Sequence, residues 1–173
     1  MFILITGAND SGKSRCAEHI ASEIPLRRIY AATMIPYGPD GEARRARHLR
    51  QRAGLGFHTV ECPCDLGTVA CSGGELVLLE DVSNLLANLA FSEKDPSAEE
   101  NTERQILRLK ERCRVLIAVT IGGLDGKDCD GVTKNYVAAL NRVNAFLSGQ
   151  ADTVIEMRGG LPHLLKGECP WIG

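Results

Sequence analysis

The chain has 173 residues, with 20 Lys+Arg against 22 Asp+Glu, and its formal net charge is −2. This balance gives no electrostatic reason to expect nucleic acid or an anionic membrane as a partner, and 44% hydrophobic and 24% charged residues are typical of a soluble globular protein. A chain of this length without repeats or an evident linker predicts one domain, residues 1–173.

The first half of the chain alternates apolar runs with helical patterns. Residues 2–6 predict a strand, residues 7–12 a glycine-containing loop, and the apolar spacing after Lys13 a helix that ends before Pro25. The pattern then predicts a second strand at 28–33 and a turn-rich stretch at 36–41. A strongly basic helix at 44–53 and a third strand at 57–61 follow.

The second half continues the alternation. Residues 75–80, ELVLLE, predict a fourth strand buried on both faces, and Asp81 or Ser83 offers an N-cap for a helix to about Phe91. A helix at 98–113 and a fifth strand at 115–120 follow. After a glycine-rich loop at 122–131, the pattern predicts a helix at 134–147 and a terminal strand pair at 153–157 and 163–165. This order predicts an α/β fold with a mostly parallel sheet, helices on both faces and a C-terminal strand pair.

Residues 7–14, GANDSGKS, match the phosphate-binding motif G-x-x-x-x-G-K-[ST] at every fixed position. In such a loop, backbone N–H groups surround the phosphate oxygens, Lys13 places a cation at the β- and γ-phosphates, and Ser14 offers a hydroxyl to Mg²⁺. The position between a strand and an amphipathic helix favours this interpretation over an ordinary glycine-rich turn. We therefore predict nucleotide contacts from Gly7, Ala8, Asn9, Asp10, Ser11, Gly12, Lys13 and Ser14.

The acidic end of the fourth strand predicts a second part of the metal site. Proteins with this loop place a carboxylate at the end of a neighbouring strand, so Glu80 and Asp81 are candidate Mg²⁺ contacts together with Ser14. The alternative is that Asp81 only caps the next helix.

Residues 44–52, RRARHLRQR, place five arginines around His48. A solvated helix face is the ordinary interpretation of such a run. However, no acidic residue lies inside it, and arginine suits the phosphate oxygens of the predicted nucleotide. Nearby arginines disfavour the imidazolium form, so a neutral His48 could attack phosphorus while the arginines stabilise the developing charge.

The sequence resembles the bifunctional adenosylcobinamide kinase/adenosylcobinamide-phosphate guanylyltransferase family along nearly its whole length. The segments that carry the resemblance include RHLRQRAGLGFHTVEC and LLEDVSNLLAN, at residues 47–62 and 78–88. The phosphate loop is common to many families, whereas the basic segment with its histidine, followed by T-x-E and later LLE and S-N-L, is far more specific.

The resemblance implies a three-layer, RecA-like P-loop NTPase fold, a cytoplasmic trimer, and Mg²⁺ with GTP and ATP as substrates. It implies that His48 takes GMP from GTP as a covalent phosphoramidate and passes it to adenosylcobinamide phosphate. Lys13 is then also catalytic. The positions that match guanine-nucleotide contacts of the family are Ala32, Thr33, Met34, Leu49, Arg50, Gln51, Arg52, Glu61 and Glu80.

One segment departs from the family pattern. An Asn-Glu-Val-Gly stretch usually follows the fifth strand, but here Thr120 is followed by Ile121 and Gly122. We hypothesise that Asp125 or Asp128 compensates; without compensation, one activity is weakened, the kinase more than the transferase. A P-loop kinase without nucleotidyl transfer and a non-catalytic GTP-binding regulator are therefore kept as alternatives.

The cysteines point to a reducing compartment. Seven is an odd number, and the apolar start is too short for a secretory signal or a membrane span. We therefore predict reduced thiols in the cytoplasm. Cys62 and Cys64 with nearby His58 could suggest zinc, but no second ligand pair at zinc-site spacing accompanies them.

Overall fold

The computed structural model describes residues 1–127 and 130–172, and describes only the backbone of Asp40, Arg44, His48 and Gln51. The strands are β1 (Phe2–Gly7), β2 (Arg28–Ala32), β3 (Phe57–Glu61), β4 (Leu76–Glu80), β5 (Val115–Val119), β6 (Thr153–Arg158) and β7 (Leu161–Lys166). The helices are α1 (Lys13–Glu23), α2 (Gly38–Arg52), α3 (Val82–Ala87), α4 (Ala98–Arg112) and α5 (Gly131–Gln150). A 3₁₀ turn spans Leu66–Thr68, and one π-helical turn, Asn88–Ser92, extends α3.

The strands form one seven-stranded sheet in the order β3-β2-β4-β5-β1-β6-β7. Every neighbouring pair is parallel except β6 and β7, which are antiparallel and joined by a turn at Gly159 and Gly160. The predicted fold class, a mostly parallel sheet with a C-terminal strand pair, is therefore confirmed.

Helices cover both faces of the sheet. Alternation along β1 directs Ile3 and Ile5 into a buried cluster with Ile20 of α1. The side chains of Phe2 and Leu4 enter the opposite cluster, which α3, α4 and α5 complete. The result is the predicted three-layer arrangement.

Two helices begin earlier than the sequence pattern predicts. Helix α2 begins at Gly38 and includes Pro39 in its first turn, within the stretch predicted as a turn. Proline is compatible with this position because the first helical N–H groups need no intrahelical acceptor. Helix α5 begins at Gly131, since Asp130 caps it by accepting a hydrogen bond from the Thr133 N–H at 2.7 Å.

Among the described residues, none of the helices combines the length and apolar character that crossing a membrane requires.

Glu75, the residue before β4, has a buried carboxylate that is held by hydrogen bonds. It accepts hydrogen bonds from the Ser72 Oγ at 2.6 Å, the Ser72 N–H at 2.8 Å and the Gly74 N–H at 3.2 Å. These bonds lower the pKa of Glu75 from 4.5 to about 2. A lowered pKa in the folded state means that the stabilisation is complete above pH 4.5 and is lost as pH falls towards 2.

We therefore expect Glu75→Gln to lower the melting temperature by several degrees at pH 7 and by much less at pH 3. Thermal unfolding across this pH range measures the difference, with the exposed Glu111→Gln on α4 as the matched control. An equal loss at both pH values would contradict the ionic role of Glu75.

Candidate active site

The carboxyl ends of the parallel strands bring the predicted site residues to one edge of the sheet. Strand register aligns Glu61, Ala32, Glu80 and Val119 across β3, β2, β4 and β5. A cavity of about 810 Å³ lies at this edge, and these four residues contribute to its wall. This is the edge at which open α/β sheets bind ligands.

The phosphate loop forms a second part of the cavity wall, through residues 9–14. Gly7 precedes this stretch with φ of +149°, and a Cβ there would lie 2.7 Å from the Met157 carbonyl oxygen and 2.8 Å from the Ser11 Oγ. Only glycine fits this close approach to β6. The predicted strand, loop and helix are present in that order, with β1 ending at Gly7 and α1 beginning at Lys13.

Lys13 is a buried cation at the start of α1. Its side chain is 8% exposed, and its Nζ donates a hydrogen bond to the Ala8 carbonyl oxygen at 2.5 Å. Burial lowers the pKa of Lys13, while the charges of Asp81, Glu80 and Asp10 act in the opposite direction. A phosphate oxygen that replaced the Ala8 carbonyl would relieve the desolvation of this ammonium group.

Glu80 connects the phosphate loop with β2. Its Oε1 accepts a hydrogen bond from the Ser14 Oγ, and its Oε2 accepts one from the Tyr30 hydroxyl at 2.6 Å. Burial, and then the Glu80 charge, raises the pKa of Tyr30, so the phenol keeps its proton. Two of the predicted metal contacts, Ser14 and Glu80, are therefore in direct contact.

The oxygen donors of Ser14 and Glu80 fit Mg²⁺, which binds through a few protein oxygens while phosphate and water complete its shell. The Asp81 carboxylate instead caps α3. Its Oδ1 accepts hydrogen bonds from the Ser83 Oγ at 2.7 Å and the Asn84 N–H at 2.6 Å. Burial raises the pKa of Asp81, although both hydrogen bonds oppose the shift. The capping role is thus real, and the Mg²⁺ role of Asp81 stays a prediction.

Among the side chains that the structure describes, which leave out those of Asp40 and His48, no three from His, Cys, Asp or Glu form a group that could hold a metal ion. Cys62 is instead buried in the core beside the 3₁₀ turn, and burial raises the pKa of its thiol to about 12. Because Ser14 and Glu80 offer only a few oxygens, Mg²⁺ bound to them would also need oxygens of the nucleotide.

Helix α2 adds positive charge to the cavity. Arg45, Arg47 and Arg52 contribute to its wall, so part of the basic run lies at the same cavity as the phosphate loop. The side chains of His48 and Gln51 lie outside the described part of the structure, so their roles stay predictions. Position 48 itself is three residues after Arg45 and four before Arg52, which places it on the same helical face.

The three residues predicted to contact the nucleotide at the end of β2 occupy different environments. Ala32 and Met34 line the cavity, but Thr33 is fully buried and its Oγ1 exchanges hydrogen bonds with Asp81, accepting from the backbone N–H at 2.7 Å and donating to the carbonyl oxygen at 2.8 Å. Thr33 thus joins β2 to the end of β4. We expect its side chain to support the site without touching a ligand.

The residues at the end of α2 that were predicted to contact the nucleotide also lie in different environments. Leu49 lines a smaller cavity of about 410 Å³, which shares Arg52 with the main one, and Arg50 is exposed. Glu61 forms an exposed ion pair with Arg45 at 3.0 Å. The Glu61 carboxylate would exchange this arginine for the N–H groups of a bound base.

Glu18 and Tyr30 also line the cavity, although neither belongs to a sequence motif that predicts a site residue. Glu18 follows Ser14 by four residues on α1, so helical spacing alone could have placed it on the same face. Tyr30 lies within an apolar strand and gives no local signal of its role. Burial, and then the nearby Glu80 charge, raises the pKa of Glu18 to about 7, while Arg52 and Arg15 oppose the shift.

This raised pKa predicts an unusual pH dependence for Glu18. The folded state keeps the proton that the unfolded chain releases near pH 4.5, so Glu18 lowers stability as pH rises from 4.5 to about 7. Glu18→Gln should therefore raise the melting temperature relative to the parent at pH 8, by the equivalent of about 1–2 kcal/mol after allowance for solvent screening.

At pH 4.5 we expect Glu18→Gln and the parent to unfold at nearly the same temperature. Thermal unfolding at the two pH values measures the effect, and the exposed Glu23→Gln at the end of α1 is the control. A variant that is less stable than the parent at pH 8 would contradict the raised pKa.

The loop after β5, where the sequence departs from the family pattern, holds Gly122 close to β1. A Cβ at Gly122 would overlap the Thr6 Oγ1, and the Gly122 N–H donates to the Gly7 carbonyl oxygen at 3.0 Å. The Asn144 side chain fixes the same loop, since its Nδ2 donates to the Ile121 carbonyl oxygen at 2.8 Å. A side chain at position 122 would require the Thr6 hydroxyl to move, and Ile121 gives the cavity an apolar contact.

The proposed compensation for this departure stays a prediction. Asp125 is exposed and pairs with the Lys127 Nζ at 3.4 Å, and Asp128 lies outside the described residues.

Solved structures share this fold. The chain superposes on a protein of Pyrococcus horikoshii OT3 with a TM-score of 0.54, 8% identity and coverage of 99% of this chain and 89% of that one. The RadB recombinase gives a TM-score of 0.51 at 14% identity, with coverage of 96% and 81%. An ATPase from the type III secretion system of pathogenic bacteria gives 0.50 at 12% identity, with coverage of 90% and 50%. Likenesses at these identities concern the fold alone.

The sheet order, the phosphate loop and these neighbours define a P-loop NTPase fold of the RecA-like type. Within that class, the chain belongs to the cobinamide kinase/cobinamide phosphate guanyltransferase family, which matches residues 3–165. The resemblance drawn from the sequence is thereby confirmed, and the chain is an enzyme of the kinase and nucleotidyltransferase class.

Two curated relatives align along nearly their whole length. The bifunctional adenosylcobalamin biosynthesis protein CobP of Pseudomonas aeruginosa is 29% identical over 171 residues, which cover 95% of this chain and 97% of the relative. The bifunctional adenosylcobalamin biosynthesis protein CobU of Salmonella typhimurium is 28% identical over 183 residues, which cover 96% and 100%.

Proposed function

We propose that this enzyme phosphorylates adenosylcobinamide and then transfers GMP from GTP, through a guanylylated His48, to adenosylcobinamide phosphate, which gives adenosylcobinamide-GDP. One observation carries the proposal: a single cavity joins the phosphate loop to the basic helix α2. We also propose that residues 1–173 act as one catalytic domain.

The charges around the cavity support a nucleoside triphosphate as the ligand. Lys13 supplies a buried cation at one end, and Arg45, Arg47 and Arg52 supply further cations from α2. A volume of about 810 Å³ lies within the range of small-molecule sites. Position 48 lies on the α2 face that carries Arg45 and Arg52, which favours attack on a phosphate of the bound nucleotide.

The transferase would proceed by double displacement. A ring nitrogen of neutral His48 attacks the α-phosphorus of GTP, the bond from that phosphorus to the bridging oxygen breaks, and pyrophosphate leaves with the electron pair. A phosphate oxygen of adenosylcobinamide phosphate then attacks the same phosphorus, and the P–N bond breaks to return the imidazole. The arginines of α2 would neutralise the charge on the phosphoryl oxygens in both steps.

The kinase would use the same phosphate loop. The substrate hydroxyl attacks the γ-phosphorus of the triphosphate and loses its proton to water, the bond from that phosphorus to the β–γ bridging oxygen breaks, and the nucleoside diphosphate leaves with the electron pair. Lys13 and the loop N–H groups would hold the β- and γ-oxygens during this step. Ser14 and Glu80 would hold Mg²⁺, which when bound offsets the charge of the phosphate oxygens. Catalysis in this half-reaction would depend mainly on positioning.

Nucleotide contacts from the other predicted residues complete the proposal. Ala32 and Met34 would contact the nucleotide from β2, and Leu49 with Arg52 would contact it from α2. Glu61 would accept hydrogen bonds from guanine, because a carboxylate matches the N–H groups on one edge of that base. We further infer a cytoplasmic location, where GTP and ATP are supplied, and the trimer implied by the family stays a prediction.

The decisive experiment is incubation of the protein with Mg²⁺ and GTP labelled at the α-phosphate, followed by intact-mass and peptide mass spectrometry. We expect a GMP adduct on the peptide that contains residue 48, stable to base and labile to acid. Adenosylcobinamide phosphate should discharge the adduct. A protein that phosphorylates adenosylcobinamide but forms no adduct would be a kinase only, and the transferase part of the proposal would be wrong.

A further inference from the structure

Among the described side chains of helix α2, that of its last residue makes a buried contact with the sheet. Among its described side chains, only that of Arg52 is buried, at 7% exposure. The Arg52 guanidinium carbon lies 3.4 Å from the centroid of the Tyr30 ring, which is cation–π geometry. Elsewhere on α2, the described side chains contribute the exposed Arg45–Glu61 ion pair. The position of the helix end is therefore set at the Tyr30 ring.

Tyr30 itself is a fixed group. It lies on β2 between β3 and β4, is 3% exposed, and packs edge-on against Phe57 with ring centroids 5.8 Å apart. Its hydroxyl donates to the Glu80 Oε2 at 2.6 Å, and the other oxygen of Glu80 accepts from the Ser14 Oγ. One buried side chain thus touches both the end of α2 and the carboxylate that contacts the phosphate loop.

The Arg52 guanidinium needs this support. Burial removes it from water, and its Nε has no hydrogen-bond partner among the atoms that the structure describes. The face of the Tyr30 ring offsets part of the lost solvation. A guanidinium held over a buried ring has restricted freedom, so its remaining N–H groups keep a defined position at the cavity wall.

We propose that Tyr30 is a positioning residue for the guanylyl transfer: its ring fixes Arg52 and the last turn of α2 against the cavity, and its hydroxyl fixes Glu80. This inference rests on the proposed function, because it concerns the helix that carries His48. The two parts of the Tyr30 side chain have separable effects, since the ring acts on α2 and the hydroxyl acts on β4.

Two variants separate these effects. Tyr30→Leu removes the aromatic face, so the last turn of α2 should exchange its amide hydrogens faster, and the rate of GMP-adduct formation at saturating GTP should fall about 10- to 100-fold. Tyr30→Phe keeps the face and loses only the bond to Glu80. We expect it to restore slow exchange and most of the saturating rate, while the GTP concentration for half-maximal rate rises.

The measurements are hydrogen–deuterium exchange of peptides that cover residues 45–53, and adduct formation against GTP concentration. Tyr136→Leu is the matched control, because Tyr136 packs in the cluster on the opposite face of the sheet and its hydroxyl donates to the Ser83 carbonyl oxygen at 2.8 Å. This control should lower thermal stability without changing exchange in α2. If Tyr30→Leu is insoluble, Tyr30→Met can replace it, because methionine also fills the space without an aromatic face. We expect the same faster exchange and lower rate from Tyr30→Met.

A Tyr30→Leu protein that loses thermal stability but keeps the parental saturating rate, or the parental exchange in α2, would overturn the inference and leave a purely structural role. These results differ from failure of the proposed function. A parent protein that forms no adduct contradicts the guanylyl transfer itself, and with it the role of Tyr30 in that reaction.

Discussion

His48→Ala will form no GMP adduct when it is incubated with GTP and Mg²⁺, and its transfer of GMP to adenosylcobinamide phosphate will fall by at least about 10⁴-fold. The reason is that alanine offers no nucleophile, while the phosphate loop and the arginines of α2 still bind the triphosphate. Direct attack of one anion on another would be the only remaining route, and double displacement exists to avoid it. Phosphorylation of adenosylcobinamide should persist within a few-fold of the parental rate.

The prediction is checked by adduct formation, product analysis and GTP affinity in the same preparation. His58→Ala is the control, because His58 is exposed on β3 and should leave both activities unchanged. An adduct that persists in His48→Ala would assign the nucleophile to another residue. Loss of kinase activity together with the adduct would indicate that residue 48 also acts in the phosphorylation step.

Lys13→Ala should impair both half-reactions, each by about 10²–10³-fold. The buried ammonium group lies in the loop that would hold the triphosphate in both reactions, and its charge would stabilise the phosphate oxygens during both displacements. Because the side chain also donates to the Ala8 carbonyl oxygen, we expect a weaker affinity for nucleotide together with the lower rates.

Single-turnover kinetics with GTP and ATP would separate these effects, and thermal unfolding would show that the variant is folded. Lys134→Ala on the exposed first turn of α5 removes the same charge away from the cavity and should behave as the parent. A Lys13→Ala protein that loses only its kinase activity would show that the transferase uses a different nucleotide site.

Much of the architecture could be predicted because its signals are local. The apolar run of β1, the phosphate loop and the pattern of α1 are contiguous, so residues 2–24 specify a strand, a loop and a helix without reference to the rest of the chain. The same holds for β4 and β5, whose apolar runs predict burial on both faces. The Gly159-Gly160 turn likewise indicates the terminal strand pair.

Helix ends were less predictable where two signals competed. Residues 36–41 contain Pro36, Gly38, Pro39 and Gly41, which favour a turn by composition, yet Gly38 begins α2. A proline in the first turn of a helix and a proline in a turn have the same local preference. The distinction depends on whether the following residues continue the helix.

The sequence by itself identified the family, the phosphate loop and the basic helix that carries His48, because each is written in neighbouring residues. Only the tertiary structure revealed that Ser14, Tyr30 and Glu80 are linked by hydrogen bonds, that Arg52 lies buried on the Tyr30 ring, and that a Cβ at Gly122 would overlap the Thr6 hydroxyl. These contacts join segments far apart in the chain, and they depend on the strand order and register of the sheet. Hydrophobic periodicity specifies which face of a strand is buried, but long-range packing decides which strands become neighbours.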